Sequence, residues 1–549
     1  MVNSVSAEWE RIPSSNVEQQ RIIAAIDLGT NSLHMVVVRI DPRLPSFTII
    51  GKEKETVRLG NRDPQTRNLK PEVIERAIAT LGRFKEVAKA LKVESIIAVA
   101  TSAVREAPNG RGFIAEVRRR VGLNVDLISG QEEARRIYLG VLSGMEFEER
   151  PHVIVDIGGG STELILCDAR EERVLSSTKV GAVRLSKEFI TTDPISQSEF
   201  DYLQAYTRGK LERTIEEIQG NIRDDEEICL VGTSGTIETL AAIIAREKLG
   251  SSPSSLNGYE FSFSELKEWV KRLRKMNYSE RTDIPGIPES RAEVILGGAV
   301  VLQEVMSLLS IDKIRVCERA LREGVIVNWM LSHGLIDNRL RYQSNVKKRN
   351  ILKAVQKYQV NIEQSERVAK FALTIFDQTQ HILHNWGEEA REFLWTAAIL
   401  HNCGYYINHS SHHKHSYYLI RHSELLGYNE TEIEIIANLA RYHRKSPPKK
   451  KHDNYNNLVE KEHRELVEQL SPILRLATAL DRRQIGAVAR IGCEYFSNKE
   501  ELHLKLVPSS PNEDCALELW SLEYSKDIFE REFKVKVISH LQPTSFTLS

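Results

Sequence analysis

Two stretches of this 549-residue chain carry one pattern, 129 positions apart. The first is Ala24-Ala25-Ile26-Asp27-Leu28-Gly29-Thr30-Asn31-Ser32, and the second is Val153-Ile154-Val155-Asp156-Ile157-Gly158-Gly159-Gly160-Ser161. In both, an apolar run enters Asp-x-Gly-x-x-Ser and a second apolar run follows, which reads as strand, tight turn, strand. Gly29 and the run Gly158-Gly159-Gly160 let the backbone approach an oxyanion, because glycine has no Cβ. Successive N–H groups in such a turn form a concavity that binds anions. Thr30, Ser32, Ser161 and Thr162 add hydroxyl donors, and Asn31 lies within the first turn. Phosphate is therefore the expected ligand of both. Asp27 and Asp156 repel bare phosphate; they make sense through Mg²⁺ (or Mn²⁺), a hard cation that takes carboxylate and phosphate oxygens together. One such turn is no more than an ordinary hairpin supplies, but two with matching flanks predict half-domains facing each other across a cleft.

Composition narrows the partners. Formal net charge is −1, so no global field draws a polyanion, and an anionic ligand must be held locally. Hydrophobic residues make up 41 % of the chain and charged residues 28 %, which suits a globular protein with large cores. The length predicts about three or four domains. The six cysteines are dispersed with no Cys-x-x-Cys pair, which argues against a disulfide scaffold or a cysteine zinc site and fits a cytoplasmic setting. No stretch approaches the roughly 18 apolar residues of a membrane span.

The element pattern predicts an α/β architecture to about residue 340, with strands alternating with helices. Residues 1–20 are polar and read as a disordered extension. Residues 21–138 form the expected first lobe, 139–318 the second, and 319–340 a helix returning to the first. From 341 to 490 helical periodicity dominates, and seven of the sixteen histidines fall between His401 and His443. Alternating runs such as Leu502-His503-Leu504-Lys505-Leu506 return in 491–549, read as a small α+β appendage.

Between the cradles, Ser129-Gly130-Gln131-Glu132-Glu133-Ala134-Arg135 opens a helix. Acids there favour the helix dipole. At the junction of two lobes, one of them can also face the cleft and deprotonate an attacking water. Arg105 follows a buried strand and reads either as a bidentate phosphate clamp or as the partner of a nearby acid.

The duplicated turns resemble the actin-like, sugar-kinase-like ATPase fold. The fuller strings are more specific. Ile26 to Ser32, Ser129 to Arg135, Asp156 to Glu163 and Ala320-Leu321-Arg322-Glu323-Gly324 resemble the exopolyphosphatase and guanosine pentaphosphate phosphatase family, and the resemblance extends over nearly the whole chain after Arg21. It implies Glu133 as general base, Asp156 and Glu163 in the metal and water network, both cradles gripping successive phosphates, and Arg105 touching substrate. The implied reaction is metal-dependent release of orthophosphate from the end of inorganic polyphosphate. The alternative is removal of the 5′-phosphate of pppGpp. Readings of another class are a non-catalytic polyphosphate or alarmone sensor and an ATP-binding kinase or chaperone. One departure is Cys317-Glu318-Arg319, where the family often has Ser-Asp-Gly; it places a bulky Arg319 near the expected cleft rim. The cradles also differ, because His34 stands where the second copy has Glu163.

In the histidine-rich part, His401-Asn402 and Asp481 resemble an HD-like domain whose paired aspartate has become asparagine. A neutral carbonyl replaces an anionic ligand there, so the reading is a retained fold without its metal chemistry. His415 in the histidine cluster, and Arg444, Lys445, Lys449 and Lys450 in the basic run 444–452, are candidate polyanion contacts. No motif supports sequence-specific nucleic-acid binding. A homodimer is expected through the helical half.

Overall fold

Each Asp-x-Gly segment folds as the turn of an antiparallel hairpin, and the two hairpins have matching geometry. The computed structural model describes residues 20–41, 46–147, 150–251, 253–336, 346–423 and 425–542. The extension expected at 1–20 lies outside the described residues except for Gln20. The chain divides into two units, residues 1–346 and 347–549.

In the first unit, β1 (Arg21–Leu28), β2 (Ser32–Asp41), β3 (Ser46–Thr56), β4 (Ser95–Ala100) and β5 (Val125–Leu127) form a sheet ordered β3-β2-β1-β4-β5. The strands β6 (His152–Ile157), β7 (Thr162–Cys167), β8 (Glu172–Thr178), β9 (Cys229–Thr233), β10 (Glu260–Ser262) and β11 (Lys313–Val316) form a second, ordered β10-β11-β9-β6-β7-β8. Apart from edge strand β10, the second order repeats the first: an antiparallel meander, then a parallel neighbour beside its first strand. Asp27 pairs across the strands with His34, and Asp156 with Glu163. The Gly29 N–H donates to the Ser32 carbonyl at 3.2 Å, and the Gly158 N–H to the Ser161 carbonyl at 3.0 Å. Strand β6 is buried along its whole length, as its near-continuous apolar sequence requires of a strand covered on both faces.

The helices needed to place the site are α1 (Pro71–Ala90), α2 (Ser102–Arg105), α3 (Gly110–Val121), α4 (Gly130–Gly144), α5 (Ala182–Phe189), α6 (Gln197–Gln219), α7 (Ser234–Leu249), α8 (Ile295–Leu309) and α9 (Leu321–Ser332). The lobe boundary read at Tyr138 falls inside α4. That helix does not stop there because Ile137, Tyr138, Val141 and Leu142 pack in one core with Ile23 of β1, Ile154 of β6 and Ile326 of α9. The helix read over 289–309 is broken into Glu289–Ala292 and Ile295–Leu309.

Helices α4 and α9 meet backbone to backbone. A methyl added at Gly324 would lie 1.7 Å from the Arg136 carbonyl oxygen, and one at Gly140 would lie 2.0 Å from that of Ala320. These glycines are required by close approach, since neither has open space for a Cβ.

In the second unit, α10 (Ile362–Thr379), α11 (Glu388–Leu400), α12 (His412–Arg421), α13 (Glu430–Tyr442) and α14 (Lys461–Ala479) surround one apolar core. A sheet of β12 (Val488–Phe496), β13 (Glu501–Pro508) and β14 (Lys536–Leu541) follows. Leu502, Leu504, Leu506 and Phe529 join the core of the helices, so the terminal sheet closes that core rather than building one of its own.

The histidines converge inside this unit. His401 and His443 each place Nδ1 2.6 Å from a backbone oxygen, of Ala398 and Ala440 respectively, and His412 Nε2 lies 3.3 Å from His443 Nε2. All three are almost wholly buried. Burial holds them neutral, with His401 and His412 lowered to about 4 and His443 well below its ordinary value. Asp481 is paired with Arg367 at 3.1 Å, and the Asn402 amide donates to Gln364 Oε1 at 3.1 Å.

Two predictions follow from this packing. Gly324→Ala should cost about 1–3 kcal/mol through forced separation of the helices. Gly82→Ala in α1, where an added methyl meets nothing within 4 Å, should instead stabilise by up to about 1 kcal/mol; urea denaturation midpoints check both. The histidine cluster gives an acid-sensitive second unit. The unfolded chain binds more protons than the native one between the ordinary histidine value near 6.5 and the lowered value near 4. Stability is therefore full above that window and falls as pH drops through it, by up to about 1.4 kcal/mol per pH unit for each buried histidine. Denaturation at pH 7 and pH 5 reads the slope, and His443→Gln should flatten it whatever its effect on the midpoint.

Candidate active site

Parallel strands deliver the site. Asp27 lies near the carboxyl end of β1, Thr101 and Ser102 follow β4, Asp156 is near the end of β6, and Ser234 follows β9. Loops at the carboxyl ends of parallel strands are where α/β sheets bind ligands. The two hairpin turns meet there, around a cavity of about 170 Å³.

The turns interlock. A methyl on Gly159 would lie 2.9 Å from Thr30 Cβ, and one on Gly160 would lie 2.6 Å from Ser102 Oγ. The glycines thus make room for the opposite lobe as well as for a ligand. Of the expected phosphate contacts, Gly29, Thr30, Asn31, Ser32, Gly158, Gly159 and Ser161 line the cavity. Gly160 does not, and its carbonyl accepts from Arg184 Nε at 2.8 Å. Thr162 is a correction: its hydroxyl is buried and donates to the Val180 carbonyl, so it has no proton left for phosphate.

The acid pair on α4 divides cleanly. Glu132 turns outward to Arg135 at 2.8 Å and Arg136 at 2.7 Å, whose hydrogen bonds hold it down to about 2. Glu133 turns into the cavity, 7 % exposed. Arg105 reaches this acid rather than the cavity: its NH1 lies 3.1 Å from Glu133 Oε2 and 2.8 Å from the Ile128 carbonyl. The ion-pair reading of Arg105 is therefore the one realised.

Five carboxyl groups line this small space: Asp27, Glu133, Asp156, Glu163 and Glu238. Burial raises Asp27 to about 7, Asp156 to about 6, Glu163 to about 7 and Glu238 to about 7, and Glu133 goes well above its ordinary value. Mutual repulsion adds to this, Asp156 acting on Asp27 and Glu163, and Glu163 on Glu133. Ser177 holds Glu163 with a 2.7 Å hydrogen bond. Sequence reasoning gave no role to the opposing cation, Arg322, although it lies within a motif already singled out. Arg322 lines the cavity, lies 3.3 Å from His34 Nδ1 and draws down both Asp27 and Asp156. His34 is held down to about 3, chiefly by burial, so it stays a neutral acceptor for Arg322. Ser234 and Glu238 on α7 were also missed; the parallel pairing of β9 with β6 is what brings the start of α7 to the cleft.

The donor set suits a hard divalent cation. Asp27 Oδ1 is buried without a partner, and the carboxyl groups of Asp156 and Glu163 line the same cavity. Among the described residues, no three His, Cys, Asp or Glu side chains are grouped tightly enough to hold an ion alone. Mg²⁺ does not need such a cage, because it takes one or two carboxylates and completes its shell with water and substrate phosphate.

Arg319 is a second correction. It is 5 % exposed, stacks over Phe47 at 4.5 Å and places NH1 3.1 Å from Ser143 Oγ. It packs against Gly144 in the core rather than standing at the cleft rim. In the second unit, Lys445, Lys449 and Lys450 are exposed, His415 and Arg444 are half-buried, and Arg444 NH1 lies 3.2 Å from His412 Nδ1. Among the described residues, no helix is long and apolar enough to cross a membrane.

Known proteins match this arrangement. The model of the Ppx/GppA phosphatase family matches residues 36–333, and that of Ppx/GppA phosphatase, domain III, matches 346–526. A guanosine-5′-triphosphate,3′-diphosphate pyrophosphatase of Pseudoalteromonas atlantica is 29 % identical over 86 % of this chain and 88 % of its own length. One of Vibrio campbellii is 31 % identical over 77 % of this chain and 80 % of its own. An exopolyphosphatase structure from Cytophaga hutchinsonii is 27 % identical with a TM-score of 0.52, covering 58 % of this chain and 100 % of its own. The Aquifex aeolicus member of the Ppx/GppA family is 28 % identical with a TM-score of 0.50, covering 57 % and 99 %. The chain belongs to the Ppx/GppA phosphatase family, and with it to the hydrolases of phosphoanhydride bonds.

Proposed function

We propose that the cleft removes the terminal phosphate of inorganic polyphosphate, with Glu133 as the base. The observation that carries this reading is a buried carboxyl at the meeting point of two opposed phosphate cradles, raised well above its ordinary value. In its ionised form, which Arg105 and a cation bound beside it favour, such a carboxylate is a stronger base toward water than an ordinary one. Arg105 fixes its orientation through the 3.1 Å ion pair. The N–H groups and hydroxyls of the two turns grip the terminal phosphates, and Arg322 faces their negative charge. Asp27, Asp156 and Glu163 are the residues that would hold Mg²⁺, which when bound neutralises charge on the phosphates. Glu133 then accepts the proton of the in-line water as the terminal phosphoanhydride opens, and orthophosphate leaves. In the second unit, the Arg367 guanidinium supplies Asp481 with its positive charge, which supports reading that region as working without a metal.

The second reading is removal of the 5′-phosphate of pppGpp. It is favoured by the names of the Pseudoalteromonas and Vibrio relatives.

Glu133→Gln keeps the shape and removes the base. It should lower kcat for polyphosphate by about 10²- to 10⁴-fold while the chain still binds, as phosphate-release and direct-binding assays measure. Release at the wild-type rate would show that another group is the base. Comparing kcat/KM for long polyphosphate and for pppGpp orders the two substrates, and polyphosphate is expected to lead.

A further inference from the structure

Three helix starts in the second unit frame a cavity of about 890 Å³. They are those of α11, α13 and α14, and the connection from α10 to α11 adds a wall with His384, Asn385 and Trp386. The volume lies within the roughly 300–1,000 Å³ typical of small-molecule sites.

The lining carries charge of one sign. Glu388, Glu389, Glu432 and Glu462 all line it, and among the described residues it includes no lysine or arginine. Lys347 acts on Glu432 from nearby, but its Nζ is bound to Glu392 at 3.0 Å. Burial, with repulsion from Glu389 and Glu392, pushes the Glu432 carboxyl up. An acid in the first turn of a helix favours the helix dipole, and each of these four sits in such a turn. The dipole accounts for each acid singly. It does not account for their gathering around one cavity.

His384 is a separate observation that points to a ligand. It lines the cavity, is 5 % exposed, and its Nδ1 is buried with no hydrogen-bond partner. Nε2 lies 3.1 Å from the Phe376 carbonyl oxygen, which can only accept, so Nε2 carries the proton. Burial holds the ring neutral by lowering its pKa. Nδ1 is then an unmet acceptor, which calls for a donor.

The wall chemistry selects that donor. Among the described residues, no three His, Cys, Asp or Glu side chains are grouped tightly enough to hold a metal ion, so a compact cation is a poor fit. Carboxylates spread over three helix starts suit several positive charges spaced along one flexible molecule. Trp386 and Phe393 add aromatic surface, which favours methylene groups and ammonium alike. Trp386 Nε1 donates to Gln469 Oε1 at 2.8 Å, which holds the indole in place.

We propose that this cavity binds an aliphatic polyamine, with one ammonium group donating to His384 Nδ1 and the others meeting the glutamates of the three helix starts. The site belongs wholly to the second unit and takes a ligand opposite in charge to phosphate.

The test is calorimetric titration of the full chain with spermidine, with polyphosphate left out because it binds the amine itself. Spermidine should occupy this site at least tenfold more tightly than propylamine does, and a tenfold excess of Mg²⁺ should not displace it. Glu389 and Glu462 are both exposed. The double variant Glu389→Gln/Glu462→Gln should therefore still fold, as its urea midpoint checks, and should bind spermidine at least tenfold more weakly. His384→Phe keeps a ring beside Phe376 and removes the acceptor; it should weaken binding at least threefold. Absence of spermidine binding, or binding undiminished in the double variant, would overturn the proposal. So would displacement by Mg²⁺, which would reduce the effect to general screening of acidic surface.

Discussion

Five carboxyl groups drawn out of water into a space of about 170 Å³ set the terms for the rest of the first unit. Like charges at such range repel strongly in a poorly hydrated site, and each loses hydration. Left alone, the groups would take up protons, as their raised values show. The folded chain therefore has to hold a locally unfavourable arrangement by force of packing elsewhere. The backbone contact of α4 with α9 does much of this, because it fixes both the helix that carries Glu133 and the one that carries Arg322. Strain at the site and close packing behind it are two sides of one device, with stability given up where charge must be poised for chemistry.

Duplication supplies the scaffold, but the two halves have separated in charge. At equivalent cross-strand positions, the first hairpin sets neutral His34 opposite Asp27, and the second sets acidic Glu163 opposite Asp156. His34 accepts from Arg322, which brings positive charge toward the first cradle. Glu163 is held by Ser177 and adds a buried carboxyl group to the second. One half is thus biased toward gripping anions and the other toward a cation, although their backbone turns are nearly the same.

Much of this was legible in the sequence because it rests on local rules. The Asp-x-Gly turns, the apolar central strands and the helix opened by Ser129 are each encoded within about ten residues, and the place of Glu132-Glu133 between the copies put one acid at the cleft, the family resemblance singling out Glu133. What escaped is what depends on distant packing. Thr162 looks like a phosphate donor until its hydroxyl is found donating to the Val180 carbonyl. Arg319 looks like a rim residue until Phe47, from far along the chain, provides a ring to stack on. Arg322, Ser234 and Glu238 reach the cleft only because strand order brings their segments there. A boundary at Tyr138 cuts through α4, and composition does not reveal that one core runs from β1 through α4 into β6.

The two adjoining cavities of the first unit differ in size and lining. The smaller one, of about 170 Å³, is lined mainly with glycine, hydroxyl and carboxyl groups. The larger, of about 590 Å³, adjoins it at Thr30 and Asn31, in the turn of the first hairpin. Residues of its walls such as Tyr278 and Lys187 lie outside the smaller cavity, so they can change without altering the groups that line it.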